Sequence, residues 1–151
     1  MAATRSSDRT ERRSLLELAS LIVGATFLLV GVLGFIPGVT QNYDAMEVAG
    51  HESGAELLGI FQVSVLHNVV HLLLGLAGLA LARTWDGARL FLIGGGALYL
   101  ALWLLGIVGG GDWIPSNSAD DWLHFVLGVG MIGLGFVTTR DRVRGTGATT
   151  A

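Results

Sequence analysis

Four long apolar runs separated by polar segments organise this chain: about residues 15–36, 57–82, 90–108 and 122–139. The second run, LLGIFQVSVLHNVVHLLLGLAGLALA, holds no formal charge and is long enough to cross the roughly 30 Å hydrocarbon core of a bilayer as a helix. Within it Ser64, His67, Asn68, His71, Gly75, Gly78 and Ala82 recur at helical spacing and share one face, while Leu, Val and Phe take the others. A membrane helix that gathers its polar and small residues on one stripe packs that stripe against protein rather than lipid. The pattern predicts an all-α membrane protein with four transmembrane helices.

The first run follows basic residues, as a signal peptide does. It is longer than a signal h-region, and FIPGVTQ offers no small-x-small cleavage site, so it reads as a retained helix ending at Pro37-Gly38. Residues 39–56 form a polar, partly helical loop. RTWDGAR makes a tight turn centred on Asp86-Gly87, and residues 109–121 form a second polar loop. A membrane domain over 15–139 is thus flanked by a basic tail, 1–14, in which Asp8 and Glu11 have capping-box spacing, and by a second tail, 140–151.

Charge fixes the orientation. All nine basic residues are Arg, and they fall in the N-terminal tail, at Arg83 and Arg89, and at Arg140, Arg142 and Arg144. The two remaining loops carry Asp44, Glu47, Glu52, Glu56, Asp112, Asp120 and Asp121 instead. By the positive-inside rule both termini are cytoplasmic, in a multi-pass protein of the plasma membrane. Four spans place every Arg on one side, and Trp85, Trp113 and Trp122 fit interfacial anchoring.

A shift of 53 positions lays Ser64, His67, Asn68, His71 and Gly75 over Asn117, Asp120, Asp121, His124 and Gly128. More weakly, LGFIPG at 33–38 faces LGIVGG at 105–110. Two helical hairpins of the same orientation would be related by an axis along the membrane normal, the parallel kind of repeat. His67-Asn68-x-x-His71-x-x-x-Gly75, together with Asn117-x-x-Asp120-Asp121-x-Leu123-His124-x-x-x-Gly128, resembles the bacterial membrane-protein family called domain of unknown function 4383, over roughly residues 15–140. Ser64 and Asp121 stand where that pattern leads one to expect Asn. The resemblance implies four membrane helices and no assigned activity.

Composition narrows the chemistry. Hydrophobic residues make up 52%, charged residues 14%, and mean hydropathy is +0.63, far from the soluble average of about 25% charged. The absence of Cys removes disulfides, thiolate nucleophiles and Cys-ligated metals. The arginines form no basic nucleic-acid-binding surface, and no nucleophile–base pair or phosphate-binding loop is visible, so neither nucleic-acid binding nor enzymatic activity is expected.

The paired motif has three readings. In the first it is an interhelical hydrogen-bond clasp: helices 2 and 4 touch, His71 meets Asp120 or Asp121, His124 meets Asn68 or His67, and Gly75, Gly78, Gly128 and Gly135 let the backbones close in. In the second, His67, His71, His124, Asp120 and Asp121 form an outward-facing ligand or proton site beneath the acidic loops, since ionisable residues inside membrane helices are a functional signal. In the third, His67, His71 and His124 hold haem b or a divalent metal, in an electron-transfer or sensor protein, with His51, Glu52 and Glu56 as further loop ligands. No cofactor is expected under the first two. The expected partners are the lipid bilayer and either a membrane-protein partner or a second copy of the chain.

Overall fold

The structure, a computed structural model, describes residues 14–50, 52–108 and 117–146, the segment 137–146 as backbone only. Among the described residues there are four α-helices: α1 (Leu15–Leu33), α2 (Val65–Leu81), α3 (Trp85–Ile107) and α4 (Ser118–Thr146). Between α1 and α2 lie a short 3-10 turn, Tyr43–Ala45, and three two-residue strands, β1 (Thr40–Gln41), β2 (Glu56–Leu57) and β3 (Phe61–Gln62). The strands form an antiparallel sheet in the order β1-β2-β3, with Thr40 opposite Leu57 and Glu56 opposite Gln62.

Side-chain caps set where the helices begin. Ser14 Oγ accepts from the Glu17 amide at 3.2 Å, and the Glu17 carboxylate accepts from the Ser14 amide at 2.8 Å, a reciprocal capping box. The Asp8/Glu11 pair lies outside the described residues. The apolar run from Leu57 predicts helix, yet the helix starts eight residues later. Leu58 (φ 57°) and Gly59 (φ 68°) adopt left-handed backbone and turn β2 into β3. Ser64 then caps α2 by accepting from the His67 amide at 3.2 Å.

Asp86 and Gly87 do not form the predicted turn. Thr84 Oγ1 accepts from the Gly87 amide at 3.1 Å, and this cap draws both residues into the first turn of α3, where an acidic side chain suits the helix dipole. The first apolar run leaves helix after Leu33 rather than at Ile36. The fourth starts at Ser118, earlier than expected, and remains helical past Thr139 through Thr146, where a polar tail is expected.

By length and composition, α1 and α3 are each able to cross a membrane, and α2 is a shorter apolar helix. Large apolar side chains face outward, among them Leu73 (60% exposed), Leu90 (66%) and Phe136 (56%).

The helices pair as two antiparallel hairpins, α1 with α2 and α3 with α4, and α3 also packs on α1 and α2. A direct seam between α2 and α4 is expected from the sequence; instead these helices meet only marginally. The reason is steric. The small residues that permit close approach face their hairpin partners. A Cβ on Gly75 would fall 2.9 Å from the Gly24 carbonyl oxygen of α1, and one on Gly128 would fall 3.0 Å from the Gly96 carbonyl oxygen of α3. Gly78 likewise abuts Gly24, and Gly135 abuts Ile93 of α3. The core between the hairpins is built on Leu16, Phe27, Phe91, Leu92, Tyr99 and Met131, and a second cluster (Ala55, Leu57, Val63) lies under the β-sheet.

Candidate functional site

The first turns of α2 and α4 are built alike. Ser64 Oγ caps α2, and Asn117 Oδ1 caps α4 by accepting from the Ala119 and Asp120 amides, both at 3.0 Å. Asn117 also reaches across to the β2–β3 turn, its Nδ2 donating to the Ile60 carbonyl at 2.7 Å. Asp120 Oδ2 accepts from the Gln62 amide of β3 at 3.0 Å and from the Asn117 amide at 3.2 Å. Those bonds tie the β-hairpin to the start of α4. Asp120 is only 2% exposed.

Below this tie lies a cavity of about 320 Å³, at the small end of ligand pockets. Leu29, Val30 and Leu33 of α1, Leu57 and Phe61 of the hairpin, and Leu123 and Leu127 of α4 supply apolar walls. Besides Thr26 of α1, five polar side chains line it: His67 and His71 from α2, Tyr99 from α3, and Asp120 and His124 from α4.

An aromatic cluster holds the imidazoles. The His67 and His71 rings stack with centroids 4.3 Å apart. His71 Nδ1 lies 3.1 Å from the His67 carbonyl oxygen, which can only accept, so Nδ1 carries the proton. In the neutral ring Nε2 is then an acceptor, and it receives the Tyr99 hydroxyl at 3.3 Å. His124 meets the Tyr99 ring edge-on at 5.0 Å, and Phe27 stacks on Tyr99 at 5.3 Å. Among the described residues, no hydrogen bond engages the ring nitrogens of His67 or His124. These are polar groups with unspent hydrogen-bonding capacity at an apolar cavity.

Residues 17–137 match the family described as Domain of unknown function (DUF4383). The chain belongs to this family. No curated protein and no solved structure matches it.

In this DUF4383 chain the eight polar positions singled out by the motif separate into three roles. His67, His71, Asp120 and His124 meet at the cavity. Ser64 and Asn117 are helix caps. Asn68 and Asp121 press against glycines of the neighbouring helix: Asn68 Oδ1 against Gly34 and Asp121 Oδ1 against Gly106, leaving no room for a Cβ at either. Asn68 is fully buried, its Nδ2 approaches Met46 Sδ at 3.9 Å, and its Oδ1 has no hydrogen-bond partner among the described residues.

The expected His71–Asp120 contact gives way to Tyr99 at His71 and to backbone amides at Asp120. His124 meets Tyr99 edge-on, and of its two expected partners His67, not Asn68, lines the same cavity and lies close enough to interact electrostatically. His51 lies outside the described residues, and among those described no group of three His, Asp or Glu side chains is placed to hold a metal ion. The sequence pattern marks neither Tyr99 nor Phe27 as a site residue. A signal for both exists: the shift of 72 that lays LGFIPG over LGIVGG also lays Gly24, Phe27 and Gly34 over Gly96, Tyr99 and Gly106.

Proposed function

We propose that this DUF4383 chain is a non-enzymatic, four-span protein of the plasma membrane, with both termini cytoplasmic, whose outer half carries a small-ligand site formed by His67, His71, Tyr99, Asp120 and His124. Two helices of spanning length and the outward-facing leucines support a lipid surround, since water-soluble proteins seldom expose so much contiguous apolar surface. The Arg distribution supports the orientation.

Two parallel hairpin repeats account for the recurring geometry. Phe27 meets His71 edge-on at 5.6 Å and 70°, and Tyr99 meets His124 edge-on at 5.0 Å and 69°. Gly24 approaches Gly75 as Gly96 approaches Gly128, and Gly34 accommodates Asn68 as Gly106 accommodates Asp121. Every one of these pairs is related by offsets of 72 and 53.

The observation that carries the ligand reading is the pair of imidazoles, His67 and His124, whose ring nitrogens make no hydrogen bond among the described residues at the cavity wall. A purely structural clasp would spend those nitrogens on hydrogen bonds between helices. The clasp reading draws instead on the Tyr99–His71 hydrogen bond.

Thermal unfolding of His67→Phe and His124→Phe separates the two. A ligand site predicts stability within about 0.5 kcal/mol of wild type, because no protein hydrogen bond is lost. Losses of about 2 kcal/mol or more in both would make the motif a clasp. For the orientation, single cysteines at Glu52 and Arg83 of the cysteine-free chain should react with an impermeant thiol reagent on intact cells at position 52 and not at 83.

A further inference from the structure

Four of the residues lining the cavity are themselves exposed and form its mouth: Thr26 and Leu29 on α1, Leu58 on the β-hairpin, and Leu123 on α4. Three are leucines, exposed by 57%, 58% and 40% respectively. The fourth, Thr26, donates its hydroxyl to the Ile22 carbonyl of its own helix at 2.9 Å, so no polar group of the rim awaits a partner. The gap exists because α1 and α4 belong to different hairpins and touch only lightly. Beyond the rim the surface stays apolar, with Ile22 (57% exposed), Ile60 (53%) and Val126 (62%).

Leucines exposed around a mouth are unfavourable in water and at ease in hydrocarbon. This cavity has such an apolar rim over a polar floor. We infer that the cavity opens sideways into the bilayer between α1 and α4, and that its ligand is a single-chain, membrane-dissolved amphiphile with a neutral hydroxyl or carbonyl head. The inference rests on the ligand-site reading above and adds the route of entry and the class of ligand.

Size and chemistry select that class. A cavity of about 320 Å³ is at the small end of known ligand pockets, which suits one short chain and not a two-chain phospholipid. Its floor offers imidazole nitrogens and a phenol, which both donate and accept. A charged head in these apolar walls would be costly without a full set of partners, and an anionic one would also face Asp120.

Two measurements on the full chain in lipid nanodiscs test this. The first uses 1-decanol carrying a diazirine on its chain. Photolabelling should saturate and map to residues 26–33 and 120–127. Leu123→Trp, or Leu29→Trp on the opposite rim, should weaken it by about tenfold, the scale of one altered apolar pocket contact.

The second places a nitroxide on Leu123→Cys, possible because the natural chain has no cysteine. Dissolved oxygen, which concentrates in hydrocarbon, should relax the label more strongly than a water-soluble nickel complex. If labelling saturates but nickel dominates, the mouth faces water: the inference falls while the ligand-site reading stands. If labelling never saturates, or ignores both tryptophan variants, the amphiphile is wrong, and the His67→Phe and His124→Phe stabilities then judge the ligand site independently.

Discussion

The Tyr99 hydroxyl of α3 lies 3.3 Å from His71 Nε2 of α2, and the same phenol ring receives the edge of His124 from α4 at 5.0 Å. One α3 side chain thus links the two histidines that the repeated motif sets equivalent, although their helices barely touch.

Removing that hydroxyl alone should be a mild change. Tyr99→Phe keeps the stacking on Phe27 and loses one hydrogen bond, for an expected cost of about 1 kcal/mol in thermal unfolding. Tyr99→Ala also removes a fully packed ring at the centre of the main core and should cost about 3–5 kcal/mol. Similar losses in the two variants would mean that the hydrogen bond, not the ring, holds the hairpins together.

Gly34→Ala should destabilise by about 1–3 kcal/mol, because its Cβ has no space beside the Asn68 amide. Asn68→Ala opens that space, so the double variant should lose less than the sum of the single changes. Additive losses measured in a double-mutant cycle would disprove the contact.

Glycines on one helix should behave in opposite ways. A Cβ at Gly96 meets the Gly128 carbonyl oxygen at 2.8 Å, so Gly96→Ala should separate the α3–α4 hairpin and lower the unfolding temperature. A Cβ at Gly94 would meet no atom of another helix within 4 Å, so Gly94→Ala should be neutral, or stabilising by up to about 1 kcal/mol through helix propensity. The pair can be compared in a single unfolding series.

Asp120 should matter through the tie it makes. Its Oδ2 accepts from the Gln62 and Asn117 amides, so Asp120→Ala leaves both donors unpaired and should cost about 1–3 kcal/mol in thermal unfolding. Unchanged stability in the variant would show that these bonds do not hold the β-hairpin to α4.

Much of this protein is legible along the chain. Four charge-poor runs predict helices because desolvating charge and backbone polar groups is costly, a constraint that acts on each segment alone, and an α-helix forms on each of them. The capping box at Ser14-x-x-Glu17 is equally local, since both partners sit within one turn. The spacing of His71, Asn68 and Gly75 marks one helical face because a helix repeats every 3.6 residues.

What lies across that face is another matter. The stripe predicts α4, yet Gly75 and Gly78 meet Gly24 of α1, and only the packed hairpins reveal that choice. Composition cannot tell that Leu57 to Gln62 turns back as a β-hairpin, because an apolar run suits strand and helix alike until Leu58 and Gly59 take left-handed backbone. Nor can spacing along one chain bring Phe27 and Tyr99 within 5.3 Å, or bring His67 and His124 to one cavity. Periodicity fixes directions around a single helix. Which surfaces then meet, and what space stays open between them, is decided by how closely two backbones can approach.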